Sequence, residues 1–81
     1  MKKRYTDYEL RRASMDGVLA KYKTLYGYDD ERIAALLGIS RKSYYSRRKT
    51  PNMWRVHELD ALVKSLKIPP RELISALYDL G

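Results

Sequence analysis

Residues 29–49 read Asp29-Asp30-Glu31-Arg32-Ile33-Ala34-Ala35-Leu36-Leu37-Gly38-Ile39-Ser40-Arg41-Lys42-Ser43-Tyr44-Tyr45-Ser46-Arg47-Arg48-Lys49, and this stretch decides the fold. It divides at Leu37-Gly38-Ile39-Ser40 into two short helical segments. Asp29 is a good N-cap for the first, and Asp30 and Glu31 suit the positive end of a helix dipole. Ile33, Ala34 and Leu37 share one face of it. Gly38 tolerates the positive φ that stops a helix abruptly, and Ser40 caps the second segment, Arg41 to about Arg48. Two helices joined this tightly need a small residue where their backbones approach, which Ala34 supplies. They also need apolar anchors on both sides, which Ile33, Leu37, Ile39 and Tyr44 supply.

On either side of this stretch the apolar spacing is helical and no stretch alternates long enough for a strand. Met1 to Tyr5 reads as a mobile basic arm. Thr6-Asp7-Tyr8-Glu9 is a capping box that opens a helix running to about Tyr26, with Leu10, Val18, Leu19, Tyr22, Leu25 and Tyr26 as its apolar positions. Gly17 inside it costs about 1 kcal/mol against alanine and is a candidate kink or break. Gly27 ends that helix. After the loop forced by Pro51, a fourth helix from about Arg55 to Lys67 places Val56, Leu59, Leu62, Val63 and Leu66 on one side. Pro69-Pro70 opens a fifth, with Pro70 at the tolerated first position and Leu73, Ile74, Leu77 and Tyr78 as its apolar residues. The expectation is an all-α, five-helix fold, a single domain over residues 6–81.

The chain has 81 residues and no cysteine. Disulfides and thiolate zinc sites are thereby excluded, and packing alone must hold the fold. No apolar run has the length of a membrane span, and Met1-Lys2-Lys3-Arg4 is not followed by a signal-peptide core. The chain therefore reads as soluble, unexported and cytoplasmic. Its formal charge is +7 and its isoelectric point about 9.8, which favours an anionic partner. The distribution is sharper than the total. Between Arg32 and His57 there is no acidic residue, while Arg32, Arg41, Lys42, Arg47, Arg48, Lys49 and Arg55 crowd the stretch. A basic run is often only a solvated surface; here it coincides with the paired helices.

The spacing from Ala34 to Gly38, followed by Ile39-Ser40, is the layout of a helix-turn-helix. The segment resembles the Cro and phage-repressor helix-turn-helix family, also called the xenobiotic-response-element family. The resemblance extends over about Val18 to Tyr78. It includes Gly27 before the second helix, the Pro51 loop after the third, the run His57-Glu58-Leu59 through Leu62-Val63-Lys64 to Leu66-Lys67-Ile68, and Pro70-Arg71-Glu72-Leu73-Ile74. Small phage-encoded members are especially similar. Two positions depart from the pattern. Asp30 stands where many members have a phosphate-binding glutamine, and would repel phosphate. Arg48-Lys49-Thr50-Pro51 replaces a Glu-x-Gly ending and adds positive charge.

The resemblance implies a regulator, by default a repressor, that binds double-stranded DNA sequence-specifically. By position it assigns base contacts to Arg41, Lys42, Tyr45 and Ser46, which face outward if Tyr44 faces inward. The chemistry agrees. A major groove about 12 Å wide admits a helix, arginine pairs with guanine through two hydrogen bonds, and tyrosine can meet a thymine methyl. Phosphate contacts fall to the backbone at Ser40 and to Arg47, Arg48, Lys49 and Asn52.

Other readings of the same residues are weaker. Tyr44-Tyr45 could stack on single-stranded bases, but one core and one surface tyrosine is the simpler account. His57 with Asp60 is a poor metal pair without a second histidine or a cysteine. Met53 and Trp54 read as a plug at the core edge. There is no Gly-rich phosphate loop and no nucleophile–base pair, so no enzyme, cofactor, metal or small-molecule effector is expected. The rival function is a protein-interaction module of the same fold. Finally, Leu73 and Leu77 suffice to dock the fifth helix on the fourth. Ile74, Tyr78 and Leu80 then remain as a second apolar stripe, to be covered by Tyr5, Tyr8 and Leu10 or by a second copy in a homodimer.

Overall fold

The computed structural model describes residues 5–78. The chain forms α1 (Asp7–Tyr26), α2 (Asp30–Leu37), α3 (Arg41–Lys49), a 3₁₀ turn (Pro51–Met53), α4 (Val56–Leu66) and α5 (Pro70–Tyr78), with no strand among the described residues. None of these helices is long and apolar enough to cross a membrane.

Local chemistry explains the boundaries. The Thr6 hydroxyl accepts from the Glu9 N–H at 3.1 Å and the Glu9 carboxylate accepts from the Thr6 N–H at 3.0 Å, the reciprocal capping box. Asp29 accepts from the Arg32 N–H at 2.8 Å, and Ser40 from the Ser43 N–H at 3.0 Å. Gly38 sits at φ 73°. From there the Ile39 N–H reaches back to the Ala34 carbonyl and the Gly38 N–H to the Ala35 carbonyl, each at 3.1 Å. These two bonds satisfy carbonyls that the end of α2 would otherwise leave open. The chain thus passes from α2 into α3 within Gly38, Ile39 and Ser40.

α1 runs without interruption through Gly17, so the expected kink or break is absent. A Cβ there would meet no neighbour, which marks the position as solvent-facing rather than as a close approach. Met15, Leu19 and Tyr22 form the buried stripe of α1. Leu25 and Tyr26, expected on that face, are exposed because the stripe winds away from the last turn. In α4 the buried stripe is Glu58, Leu62 and Leu66, spaced by four, with Leu59 and Val63 half-buried beside it. Val56 was expected inside and is 83% exposed. Its first-turn position lies off that stripe.

One core unites these faces. Met15, Leu19 and Tyr22 join Ile33, Ala34 and Leu37 of α2, Tyr44 of α3, Trp54, Leu62, Leu66, Ile68, and Leu73 and Ala76 of α5. Full burial of side chains the size of Leu62 or Ile33 contributes about 1.5–3 kcal/mol each. Trp54 plugs this core as expected, its ring edge-on to Tyr44 at 6.5 Å, whereas Met53 is exposed.

α5 packs chiefly on α1, not on α4 as its apolar spacing suggested. Polar ties select the partner. The Arg11 Nε donates to the Leu77 carbonyl at 2.7 Å. The Tyr22 hydroxyl donates to Glu72 at 2.9 Å, and Lys21 pairs with Glu72 at 3.0 Å. Ile74 and Tyr78 stay 59% and 77% exposed, so α1 does not cover them. Leu80 lies outside the described residues.

Candidate nucleic-acid interface

α3 is a helix with two different sides. Tyr44 at its middle is fully buried, and burial pushes its hydroxyl pKa well up. Tyr44 therefore anchors the helix as a neutral apolar plug. Positions spaced by four on the far side are Arg41, Tyr45 and Lys49. These three, with Lys42 and Ser46, line one shallow concavity. All five are exposed and none of the lining residues is acidic. The four residues expected to meet bases are thus on one outward face. Lys49, expected at phosphate, joins them. The Ser40 hydroxyl is occupied in capping α3.

Arg47 and Arg48 do something different from what their sequence suggests. Consecutive residues of a helix point about 100° apart, so Arg47, Arg48 and Lys49 cannot share a face. The Arg47 guanidinium turns inward and pairs with Glu58 at 3.0 Å, with only 13% and 1% of the two side chains exposed. Glu58 also accepts from the Arg55 N–H at 3.0 Å. Burial alone would raise the Glu58 pKa. The Arg55 N–H and the Arg47 guanidinium outweigh it, and the carboxyl lies below its ordinary value. Arg48 reaches Asp16 of α1 at 3.2 Å and Asp30 of α2 at 3.5 Å. Both arginines, expected at phosphates, are structural braces engaged by carboxylates within the protein. Asn52 is exposed, yet its amide oxygen already accepts from Arg11 at 2.7 Å.

Asp30 is also changed in meaning. Lys23 pairs with it at 2.7 Å, beside the Arg48 contact. The Tyr45 hydroxyl lies 3.3 Å from its other oxygen. Burial pushes this carboxyl up, but the Lys23 hydrogen bond and the Lys23 and Arg48 charges bring its pKa below the ordinary value. The negative charge that would have repelled phosphate is neutralised by two cations. Around it, Asp29, Asp30, Glu31, Arg41 and Tyr45 line a second depression at the N-terminal end of α3.

Sequence reasoning missed Asp16 and Glu58 as the anchors of these braces, and Tyr8, whose hydroxyl donates to the Lys49 carbonyl at the end of α3. Helical spacing carried a usable signal. Arg47 and Arg48 follow the inward-facing Tyr44 by three and four residues, which puts both on its side of the helix. His57 is exposed, and no group of side chains suited to hold a metal ion occurs among the described residues. Comparison with family models, with curated proteins and with solved structures finds no match for the chain.

Proposed function

We propose that the chain binds double-stranded DNA with α2 and α3 acting as a helix-turn-helix and α3 entering the major groove, and that it regulates transcription by occupying its site, by default as a repressor. One observation carries this reading. The exposed side of α3 gathers Arg41, Lys42, Tyr45, Ser46 and Lys49 with no acidic residue among them, on a helix fixed from behind by the buried Tyr44. Arginine and lysine there offer donors to guanine O6 and N7, and Lys49 offers charge to a phosphate. Two-fold pairing belongs to the same proposal. Ile74 and Tyr78 are large, apolar and exposed on α5, and a self-complementary patch gives a symmetric dimer readily. Such a dimer would present two copies of α3 about 34 Å apart to a palindromic site.

The test is a salt titration of binding to a fluorescent duplex. Each phosphate neutralised adds about −0.9 to the log–log slope, so Lys49 and any further cation of this face give a clearly negative value. A slope near zero, or no binding at low salt, removes the reading. A protein-interaction role is the second reading. It is favoured by the acidic residues Asp29 and Glu31 beside Arg41, a mixed-charge rim suited to a polypeptide. A chain that ignores duplexes at low salt would favour it.

A further inference from the structure

Resting on the reading of α3 as the DNA-reading helix, we propose that Asp30 and Tyr45 form a buttress that aims Arg41, so that the protein selects a guanine at the base pair Arg41 meets. The chain of contacts is on one side of the molecule. The Arg41 guanidinium carbon lies 5.8 Å from the centre of the Tyr45 ring, within reach of a cation–π contact. The Tyr45 hydroxyl lies 3.3 Å from Asp30 Oδ2. Asp30 is in turn fixed by Lys23 at 2.7 Å and Arg48 at 3.5 Å, and Arg48 is held to α1 through Asp16 at 3.2 Å. A flexible, exposed arginine is thereby linked, through one aromatic ring, to a carboxylate braced by α1, α2 and α3.

The geometry matters because of what a guanidinium must do to read a base. Its two parallel N–H groups have to meet O6 and N7 of guanine in one plane. An unrestrained arginine loses rotamer freedom to reach that pose, and a pre-aimed one loses less. A guanidinium carries five N–H donors, so the support it takes from Tyr45 leaves others for the base. Lys49 is exposed and offers a point charge on a flexible stem, which suits it to the sequence-independent share of binding. Asp30 and Tyr45 are therefore positioning residues for Arg41. Asp30 acts without touching DNA, which gives a purpose to an acid at a place where phosphate passes close.

The experiment selects bound duplexes from a random pool with the full chain, then measures affinity for the winning site and for versions changed at each base pair. Tyr45→Phe removes one exposed hydroxyl and should keep the fold. It should lower the preference for guanine at one position by about fivefold, near the lower limit for one bidentate pair, with the salt slope unchanged. Asp30→Asn should lower the same preference while tightening binding to all sequences, since Lys23 and Arg48 then lose the carboxylate that offsets them. Arg41→Ala should abolish that preference entirely. Combining Asp30→Asn with Tyr45→Phe should lower it no further than Asp30→Asn alone, since both act through one chain of contacts. If Tyr45→Phe and folded Asp30→Asn keep the full guanine preference of a parent that does bind DNA, the buttress is refuted and the DNA reading stands. If the parent binds no duplex at low salt, both fall together.

Discussion

Replacing Arg47 with alanine separates a structural brace from a DNA contact. The structure shows a guanidinium and a carboxylate 3.0 Å apart, with 13% and 1% of their side chains exposed. Removing the cation leaves a charged carboxylate shut away from water. Breaking a buried pair from one side costs about 3–5 kcal/mol. Glu58 keeps its hydrogen bond from the Arg55 N–H and sits in the first turn of α4. The helix dipole favours its charge there, so the loss falls near the low end, about 3 kcal/mol. In a chain of this size that is a drop of about 12–24 °C in Tm.

The pH dependence adds a second signature. In the parent the folded-state pKa of Glu58 lies below its ordinary value of 4.5. Its stabilisation is therefore complete above that ordinary value and is lost as pH falls through the lower folded value. In Arg47→Ala the hydrogen bond and charge of the guanidinium no longer hold the carboxyl down, so its pKa rises from the parent's and the variant suffers less when acid protonates it. The Tm gap between parent and variant should narrow from about pH 7 to about pH 4, read by circular dichroism. Adding Glu58→Gln to Arg47→Ala should recover part of the loss, because no buried charge is then left alone. The brace is refuted if Arg47→Ala melts within about 2 °C of the parent, far less than a broken buried pair allows, and weakens duplex binding as much as Lys49→Ala is expected to.

Three further outcomes are expected. Gly38→Ala should cost about 1–2 kcal/mol, since a Cβ there meets open space and only the left-handed backbone is strained; Gly38→Val should cost more, and equal Tm values for parent and both variants would contradict the turn. Lys67 caps α4 at φ 55° as the one non-glycine residue at positive φ among those described, so Lys67→Gly should raise stability by about 0.5–1 kcal/mol, measurable by urea denaturation. Ile74→Glu with Tyr78→Glu should leave the monomer's Tm nearly unchanged, because both side chains are exposed, while abolishing dimers in sedimentation and weakening binding to a palindrome; unfolding would show that the patch belongs to the core.

What the sequence made legible was the local part. Caps at Thr6, Asp29 and Ser40, the left-handed Gly38 and the inward Tyr44 all depend on residues within a turn or two of one another, and all were readable in place. The partner of each face was not. Leu73 and Leu77 show that α5 must dock, but α1 wins over α4 through Arg11, Lys21 and Tyr22, each fifty or more residues before its partner on α5. The same limit distorted the reading of charge. The acid-free stretch from Arg32 to His57 looks uniformly cationic because its neutralising groups lie outside it in sequence: Asp16 and Asp30 before, Glu58 after. Folding brings those carboxylates to Arg48 and Arg47. Two of the cations counted in that stretch are therefore internal to the protein. The outward charge of α3 is narrower, the stripe Arg41, Tyr45 and Lys49 flanked by Lys42. A narrow stripe suits base reading better than a broad basic run does. Diffuse charge binds every duplex alike, whereas a few aimed donors on a braced helix make one sequence differ from another.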